Sequence, residues 1–345
     1  MTHSMKSSRK KRILMGIFIL LTVSLFIPTP YYIFQPGSVE ELSSKVAVEN
    51  ANPSSEGKLY LTTVLSMRAS NIYYLAYGLL APHAAVERST SVKGDMTDKE
   101  YNRWLEYLMN SSQKNAIIAG LQAAGEDVVI HAKGVVVQTV NDKSRAKGIL
   151  EAGDIIHSVD DVPVRNSSDL LSYLKGKNAG DIVTVAFQRD GKKKSGDIEL
   201  IPLVHSETKA GLGIVLSDHT EMETSRNVKI QAGDIGGPSA GFMFSLEVYK
   251  QLQKEDITKG YNIAGTGTID QNGRVGQIGG IREKIAAVDQ ADIDIFFCPR
   301  DIAPGDTNEK EVLEEAGKYG YDVKIVPVET LEEAIQFLEK LPPKQ

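Results

Sequence analysis

The sequence has few of the side chains that most often bind metals or form disulfides. Its 345 residues contain one cysteine and six histidines. A single cysteine can form neither an internal disulfide nor a cysteine-rich zinc site, and no H-E-x-x-H pair is present. The phosphate-binding pattern G-x-x-x-x-G-K-[ST] is absent as well, so the chain offers no ATP-hydrolysing loop of its own. We therefore expect no metal, no ATP and no other cofactor.

Positive charge is scarce outside the N-terminal arm. Lys plus Arg number 39 and Asp plus Glu number 45, which gives a net charge of −6. Residues 1–12 carry basic side chains and no acidic ones, so the remainder is more acidic than the total suggests. An acidic body with one short basic arm argues against a nucleic acid as the partner.

The basic arm precedes a long apolar run. Residues 13–27 carry no charge, and with the aromatic residues that follow the run extends to residue 34. A helix over residues 13–34 is long enough to cross the ~30 Å hydrocarbon core of a membrane. The basic arm would stay on the cytoplasmic side. A cleaved signal peptide shares these features, but no A-x-A-like site follows, which favours an uncleaved transmembrane helix. In both cases residues 35–345 would lie outside the cytoplasmic membrane.

Two segments of different character follow the apolar run. Residues 35–57 are polar, contain Pro, Gly and Ser, and are predicted to form a stalk. Residues 58–125 are predicted to form a strand and then helices that pack on the C-terminal domain. Residues 97–100 are a capping box, and apolar side chains recur behind it at i, i+3, i+4 and i+7. This stripe is expected to be core and consists of Tyr101, Trp104, Leu105 and Leu108.

Residues 126–203 have the pattern of a small β domain. The run Ala146–Val164 reads A-x-G-x-L-x-x-G-D-x-I-x-x-V-D-x-x-P-V, and a capped short helix and a strand follow it. This order resembles a PDZ domain. The resemblance implies a small β-sandwich or barrel with two helices, and a groove where a peptide end adds to a sheet edge as a strand. Gly134, Val135 and Val136 would then lie at the carboxylate-binding loop and the edge strand. Alternatively, the domain only packs against its neighbour.

Residues 204–345 alternate strand and helix patterns, which predicts an α/β domain. The strand-like runs are 228–230, 261–264, 293–298 and 323–328, and the helical patterns follow Pro238, Gly280, Asn308 and Thr330. The whole chain is therefore expected to be a multidomain protein of the α+β and α/β classes.

A serine in a glycine-rich turn is the first catalytic candidate. Gly236–Gly241 contains G-x-S-x-G around Ser239, the pattern of the nucleophile elbow in Ser-His-Asp hydrolases. Those enzymes place the histidine after the serine, whereas every histidine of this chain precedes Ser239. An esterase of that type would therefore lack its base. A structural role is also open, because serine often begins a helix.

A lysine on an apolar helix face is the second candidate. Ile281, Ile285 and Val288 recur at i, i+4 and i+7, and Lys284 lies on the same face. Burial disfavours the charged amine and can lower a lysine pKa from ~10.4 to ~5–7, so that the neutral amine becomes available as a general base. A lysine of this kind, taken alone, more often extends its amine to solvent.

The serine and the lysine together carry a more specific resemblance. Ser239 in P-S-A-G, followed 45 residues later by Lys284 in G-G-I-R-E-K, resembles the proteolytic domain of Lon peptidases. The resemblance implies that Ser239 is the nucleophile, that Lys284 is the base and that Thr266 helps to hold the lysine. Gly237, in the turn before the serine, is the candidate donor to the oxyanion. Gly236 stands where many Lon domains have an aspartate.

An anchor, a PDZ domain and a Lon-like domain without an ATPase resemble the membrane-anchored, PDZ-containing Lon-like serine peptidases of Gram-positive bacteria. This implies a single-pass cell-membrane protein whose extracellular Lon-type domain cleaves peptides or exposed protein segments without ATP. Its partners would be those substrates and the membrane, and the same resemblance suggests a homo-oligomer such as a hexamer. Two other functions stay open, a catalytically inactive PDZ adaptor and an esterase.

Overall fold

The computed structural model describes residues 3–52, 56–94, 96–202 and 210–344. The helices in these residues are α1 (His3–Ser24), α2 (Ile72–Leu80), α3 (Ser89–Lys93), α4 (Asp98–Ala123), α5 (Ser167–Leu174), α6 (Gly241–Leu252), α7 (Ile281–Asp289), α8 (Asn308–Tyr319) and α9 (Leu331–Glu339). The strands are β1 (Tyr31–Glu41), β2 (Val46–Val48), β3 (Lys58–Arg68), β4 (Ala85–Arg88), β5 (Val128–Val140), β6 (Ile155–Val159), β7 (Val162–Pro163), β8 (Ile182–Arg189), β9 (Lys192–Glu199), β10 (Ile201–Pro202), β11 (Ala210–Gly211), β12 (Ile214–Thr224), β13 (Val228–Ile230), β14 (Asn262–Gly265), β15 (Thr268–Ile269), β16 (Val275–Gly276), β17 (Ile295–Pro299) and β18 (Lys324–Val328).

The larger sheet is mixed and has the strand order β18-β17-β14-β3-β1-β4. β3, β14, β17 and β18 run parallel, whereas β1 pairs antiparallel with β3 and β4. Successive side chains of a strand point to opposite faces, so Phe297 packs with α6 and α9 on one face and Phe296 with α7 and α8 on the other. The α/β architecture expected for the C-terminal part is confirmed, and its sheet also takes in β3 and β1 from earlier in the chain.

The second sheet has the strand order β12-β5-β6-β8-β9, with the short β7 beside β6. Together with α5 it encloses a separate apolar core, which confirms the expected small β domain. Turns occupy residues 145–150, where the first of the two expected helices would lie. β12 pairs with β5 over its whole length, although the sequence assigned it to the C-terminal domain. The predicted boundary between residues 203 and 204 lies outside the described residues.

The N-terminal apolar run does not form the predicted transmembrane helix. Among the described residues, no helix is both long and apolar enough to cross a membrane. α1 ends at Ser24, and the chain from Tyr31 onward belongs to β1, where backbone hydrogen bonds pair it with β3 and β4. The predicted span over residues 13–34 is therefore wrong, because strand pairing takes up the last part of the run.

The stretch predicted as a stalk also contributes to the fold. Residues 35–57 contain most of β1 and all of β2, which pairs with β13. Leu42 and Val46 are buried in the larger core. The pairing of β1 with β3 is irregular between Pro36 and Val39. The turn-forming residues that suggested a stalk thus mark an irregularity within a strand.

Helix α4 contacts both halves of the molecule. It begins at a capping box formed by Thr97 and Glu100, as predicted. The apolar stripe on its first turns is half-buried rather than core, and the fully buried part lies further along, at residues 116–121. The helix packs on α6 and then leads through a short turn into β5. α4 therefore connects the Ser239 region directly to the second sheet.

Candidate active site

Ser239 lies in the turn that leads into α6. Gly237 has a φ of 81°, a conformation that glycine adopts without steric cost. α6 begins at Gly241, where a Cβ atom would lie 2.4 Å from Ser112 Oγ. The two glycines therefore permit a tight turn and a close approach of α4. The Ser239 side chain remains half-buried beside the helix start.

Lys284 lies on the buried face of α7. Its exposed fraction is 2%, similar to the 1% of Ile281 and the 0% of Ile285. α7 approaches β3 so closely that a Cβ atom at Gly280 would lie 2.8 Å from Val64 Cγ2. The helical periodicity thus predicted the burial of this lysine correctly.

The serine and the lysine meet although they lie on different helices. Lys284 Nζ is 3.1 Å from Ser239 Oγ, within hydrogen-bond distance. Burial lowers the pKa of Lys284 to about 7, and the charge of Glu283 acts in the opposite direction. A substantial fraction of the lysine is therefore neutral near pH 7. A neutral amine in this position can accept the hydroxyl proton of the serine.

A backbone carbonyl that the sequence did not reveal holds the lysine amine. Lys284 Nζ donates to the Thr62 carbonyl oxygen at 2.6 Å. Thr62 lies in β3 immediately after Leu61, the last residue of that strand that pairs with β14. Every residue carries such an acceptor, so no side-chain pattern marks it in the sequence.

Thr266 contacts the serine backbone rather than the lysine. Its hydroxyl donates to the Ser239 carbonyl oxygen at 3.0 Å, and the Gly267 N–H donates to the same oxygen at 2.9 Å. Thr266 itself is fully buried. The resemblance implied a role in holding Lys284, whereas in the structure the threonine binds the turn that carries Ser239.

The Gly237 N–H forms a hydrogen bond with α4. This group, predicted to bind the oxyanion, donates to the Leu105 carbonyl oxygen at 3.3 Å. Ser112 Oγ donates to the Pro238 carbonyl oxygen at 2.9 Å. The sequence placed Leu105 in the core and did not single out Ser112, because nothing in the periodicity of α4 indicates which element lies opposite it.

The residues predicted for the peptide groove lie inside the second sheet. At Gly134, Val135 and Val136, β5 pairs with β12, and β6 lies on its other side, so these residues present no free edge. The outer strands of this sheet are β12 and β9. β12 is the one beside α5, where the Ser167 N–H donates to Asp218 Oδ1 at 2.7 Å. The prediction missed this edge because β12 joins the sheet from beyond the predicted domain boundary.

Other candidates for chemistry have different surroundings. Burial raises the pKa of the Cys298 thiol to about 12, so this cysteine stays protonated and unreactive at neutral pH. Within the described ranges, no group of three or more His, Cys, Asp or Glu side chains is placed to hold a metal ion.

Two family models match the chain. The PDZ domain model matches residues 113–200. The model of the Lon protease (S16) C-terminal proteolytic domain matches residues 203–340. The second range contains Ser239, Thr266 and Lys284.

Curated proteins are similar to parts of the chain. The Lon protease of Metamycoplasma arthritidis (strain 158L3-1) is 31% identical over 152 residues, which are 44% of this chain and 17% of that protein. The serine protease Do-like HtrA of Lactococcus lactis subsp. lactis (strain IL1403) is 43% identical over 68 residues, 19% of this chain and 17% of that protein. The chain thus spans only a minor part of the length of either relative.

Solved structures are similar to about a quarter of the chain. The solution structure of a protein from Geobacillus thermodenitrificans is 42% identical and covers 24% of this chain and 97% of its own, with a TM-score of 0.23. The PDZ domain of the SdrC-like protein from Listeria monocytogenes is 31% identical and covers 24% of this chain and 87% of its own, also with a TM-score of 0.23. TM-scores this low add nothing to the description of the fold. The two family models show that this chain combines a PDZ domain with a C-terminal proteolytic domain of the Lon type.

Proposed function

We propose that this chain is an ATP-independent serine endopeptidase that uses Ser239 as nucleophile and Lys284 as general base. The observation that carries the proposal is the distance of 3.1 Å between Lys284 Nζ and Ser239 Oγ. The lowered pKa of the buried lysine supports it, as does the match to the Lon-type proteolytic domain. Serine activation by a neighbouring base is a general route to acyl transfer.

The proposed reaction has two halves that share the lysine. Neutral Lys284 takes the hydroxyl proton of Ser239 while Oγ attacks the carbonyl carbon of the substrate. The resulting ammonium gives that proton to the leaving amine, the C–N bond breaks, and an ester to Ser239 remains. A water molecule then gives a proton to Lys284 and attacks the ester. The Ser239–acyl bond breaks, and the proton returns to Ser239 Oγ.

In this proposal the N-terminal end of α6 stabilises the negative charge of the intermediate. The N–H groups of Gly241 and Phe242 already donate to the Pro238 and Gly267 carbonyl oxygens, so they act through the field of the helix. The carbonyl oxygen of the substrate becomes an oxyanion during the attack, and preorganised N–H donors lower its energy. The N-terminus of α6 also carries a positive partial charge, and Ser239 lies two residues before its first residue, Gly241.

The substrate binds as an extended strand beside β3 in this proposal. β14 pairs with β3 only as far as Leu61, whereas β1 accompanies β3 as far as Arg68. In the described part of the chain, the outer edge of residues 62–68 therefore has no partner strand. A peptide can add there through main-chain hydrogen bonds, which brings its backbone past Thr62 and the lysine. Unfolded segments of varied sequence are the substrates that this edge favours.

Incubation of the full chain with a mixture of unstructured peptides tests the proposal. We expect new peptide termini without added ATP, detected by mass spectrometry. A complete lack of cleavage at pH 8 would overturn the proposed function and favour the inactive PDZ adaptor. The extracellular location and the homo-oligomer stay predictions from the sequence.

Peptidase activity is expected to rise with pH through about 7. The pKa of Lys284 is lowered to about 7, so the amine is mostly charged at pH 6 and mostly neutral at pH 8. Only the neutral form accepts a proton, so kcat/KM should increase about tenfold per pH unit below the apparent pKa and level off above it. The measurement is a profile of kcat/KM from pH 5 to pH 9.

Glu283→Gln provides the matched control for this profile. The carboxylate of Glu283 raises the pKa of Lys284, so its removal should shift the profile to lower pH without abolishing activity. A flat profile of kcat/KM in the wild type would contradict the assignment of Lys284 as the base.

Thr266→Val is expected to lower kcat by up to about tenfold with little change in KM. The substitution keeps the shape of a fully buried side chain and removes one hydrogen bond to Ser239, worth ~1 kcal/mol. A tenfold rate change corresponds to ~1.4 kcal/mol. Steady-state kinetics on one peptide measure the effect, with Thr268→Val on the neighbouring strand as the control. Equal kcat values for the two variants would show that the hydrogen bond does not position the nucleophile.

A further inference from the structure

Helix α4 contacts the nucleophile turn at two backbone groups. The Gly237 N–H donates to the Leu105 carbonyl oxygen at 3.3 Å, and Ser112 Oγ donates to the Pro238 carbonyl oxygen at 2.9 Å. Leu105 and Ser112 lie two turns apart on the helix, so both belong to one face. This face of α4 therefore covers the residues immediately before Ser239.

The contact at Gly237 removes a donor from the place where the oxyanion forms. Pro238 has no N–H, so Gly237 supplies the nearest N–H on the upstream side of Ser239. In this structure that N–H is directed to Leu105 of α4. Loss of a single oxyanion donor typically reduces kcat by about 10²–10³. Under the proposed function, this hydrogen bond would keep the Gly237 N–H from the oxyanion.

Other side chains of α4 hold it against the PDZ domain. Arg103 Nη2 donates to Glu151 Oε2 at 2.5 Å and to the Ala152 carbonyl oxygen at 3.2 Å. Lys114 Nζ donates to the Thr220 carbonyl oxygen of β12 at 3.1 Å. α4 thus contacts the region of the second sheet at two places, the turn before β6 and the edge strand β12.

The contact between α4 and the PDZ domain is incomplete. Arg103 Nε is buried without a hydrogen-bond partner among the described residues, which destabilises the docked arrangement. A cavity of about 1070 Å³ lies beside α4 and is bounded also by β12, β13 and the turn between β15 and β16. The contact therefore contains an unsatisfied donor at Arg103 and has open space beside it.

We propose that α4 couples its own docking on the PDZ domain to the turn of residues 236–239, next to which the oxyanion forms. With α4 docked on the PDZ domain, the Gly237 N–H stays hydrogen-bonded to the Leu105 carbonyl oxygen, and the peptidase activity is low. When the docking is released, α4 withdraws and the N–H becomes available to the substrate. The proposal rests on the proposed peptidase function. The proposed effector is an extended peptide that binds at the free edge of β12. It activates the peptidase only to the extent that it binds the released arrangement more tightly than the docked one.

Arg103→Ala in the full chain tests this link. Glu151 keeps its ion pair with Arg189 at 2.5 Å. Asp190 loses its ion pair with Arg103 at 3.8 Å, but its side chain is 63% exposed, so the substitution leaves no buried charge without a partner. We expect the Gly237 amide to exchange its hydrogen at least about tenfold faster and kcat for a short unstructured peptide to rise at least about threefold at unchanged KM. Lys99→Ala, an exposed position on the first turn of α4, is the control and should change neither quantity.

Lys114→Gln provides a second variant at the β12 contact and should shift both quantities in the same direction. Exchange at Gly237 that matches the wild type in both folded variants would overturn the proposal. Faster exchange with an unchanged or lower kcat would overturn the assignment of the docked form as restrained. If the wild type cleaves no peptide, the proposed function fails, whereas amide exchange still decides whether α4 and the PDZ domain are coupled.

Discussion

Ser239→Ala is expected to reduce peptide cleavage by at least ~10⁴-fold, because no acyl-enzyme can form without the nucleophile. Alanine fits the half-buried position of Ser239, and the backbone contacts from Thr266 and Gly267 to its carbonyl do not involve the side chain. The protein should therefore remain folded. The measurement compares initial rates on one peptide, with thermal unfolding of both proteins as the check on stability.

Ser245→Ala is the matched control for this experiment. Ser245 lies on the same helix, is fully buried, and donates its hydroxyl proton to the Phe242 carbonyl oxygen, away from Lys284. We expect its activity to stay close to that of the wild type. Equal cleavage by Ser239→Ala and the wild type would refute the nucleophile and with it the peptidase assignment for this site.

Lys284→Met is expected to lower kcat by at least ~10²-fold, since general base catalysis contributes rate factors of this size or larger. Methionine is unbranched and apolar and suits a site that is only 2% exposed. The variant loses the contacts of Nζ with Ser239 Oγ and with the Thr62 carbonyl. Steady-state kinetics at pH 8 measure the loss, because the wild-type amine is mostly neutral there.

Lys310→Met controls for the loss of a lysine elsewhere. Its side chain is 72% exposed, so the substitution should leave both activity and stability nearly unchanged. Small activated esters serve as a second substrate. Retention of full ester turnover by Lys284→Met would favour the esterase interpretation and contradict the role of the lysine, whereas a parallel loss on esters and peptides agrees with one shared base.

Local patterns predicted the parts of the site that depend on one stretch of chain. The burial of Lys284 followed from the spacing of apolar residues along α7, since helical periodicity places such residues on one face. The turn at Ser239 followed from its glycines, whose conformational freedom is a property of the residue itself. The capping box of α4 was predicted correctly for the same reason.

Non-local pairing explains where the predictions differ from the structure. The apolar run after residue 12 suggested one continuous span, but β1 pairs with β3 and β4 and ends the helical part early. The peptide edge was placed at Gly134–Val136, but β12 covers that strand. In each case a strand from a distant part of the chain supplies the backbone partners, and hydrophobic patterns contain no information about which strands pair.

The sequence by itself determined the two domain types, the turn that carries Ser239 and the buried position of Lys284, because each depends on residue types at short spacing. Only the tertiary structure decided that Lys284 Nζ lies between Ser239 Oγ and the Thr62 carbonyl, that Thr266 holds the serine backbone, and that α4 occupies the Gly237 N–H. These contacts join segments far apart in the chain through backbone atoms. Backbone atoms are the same in every residue, so their partners are chosen by how the strands and helices pack.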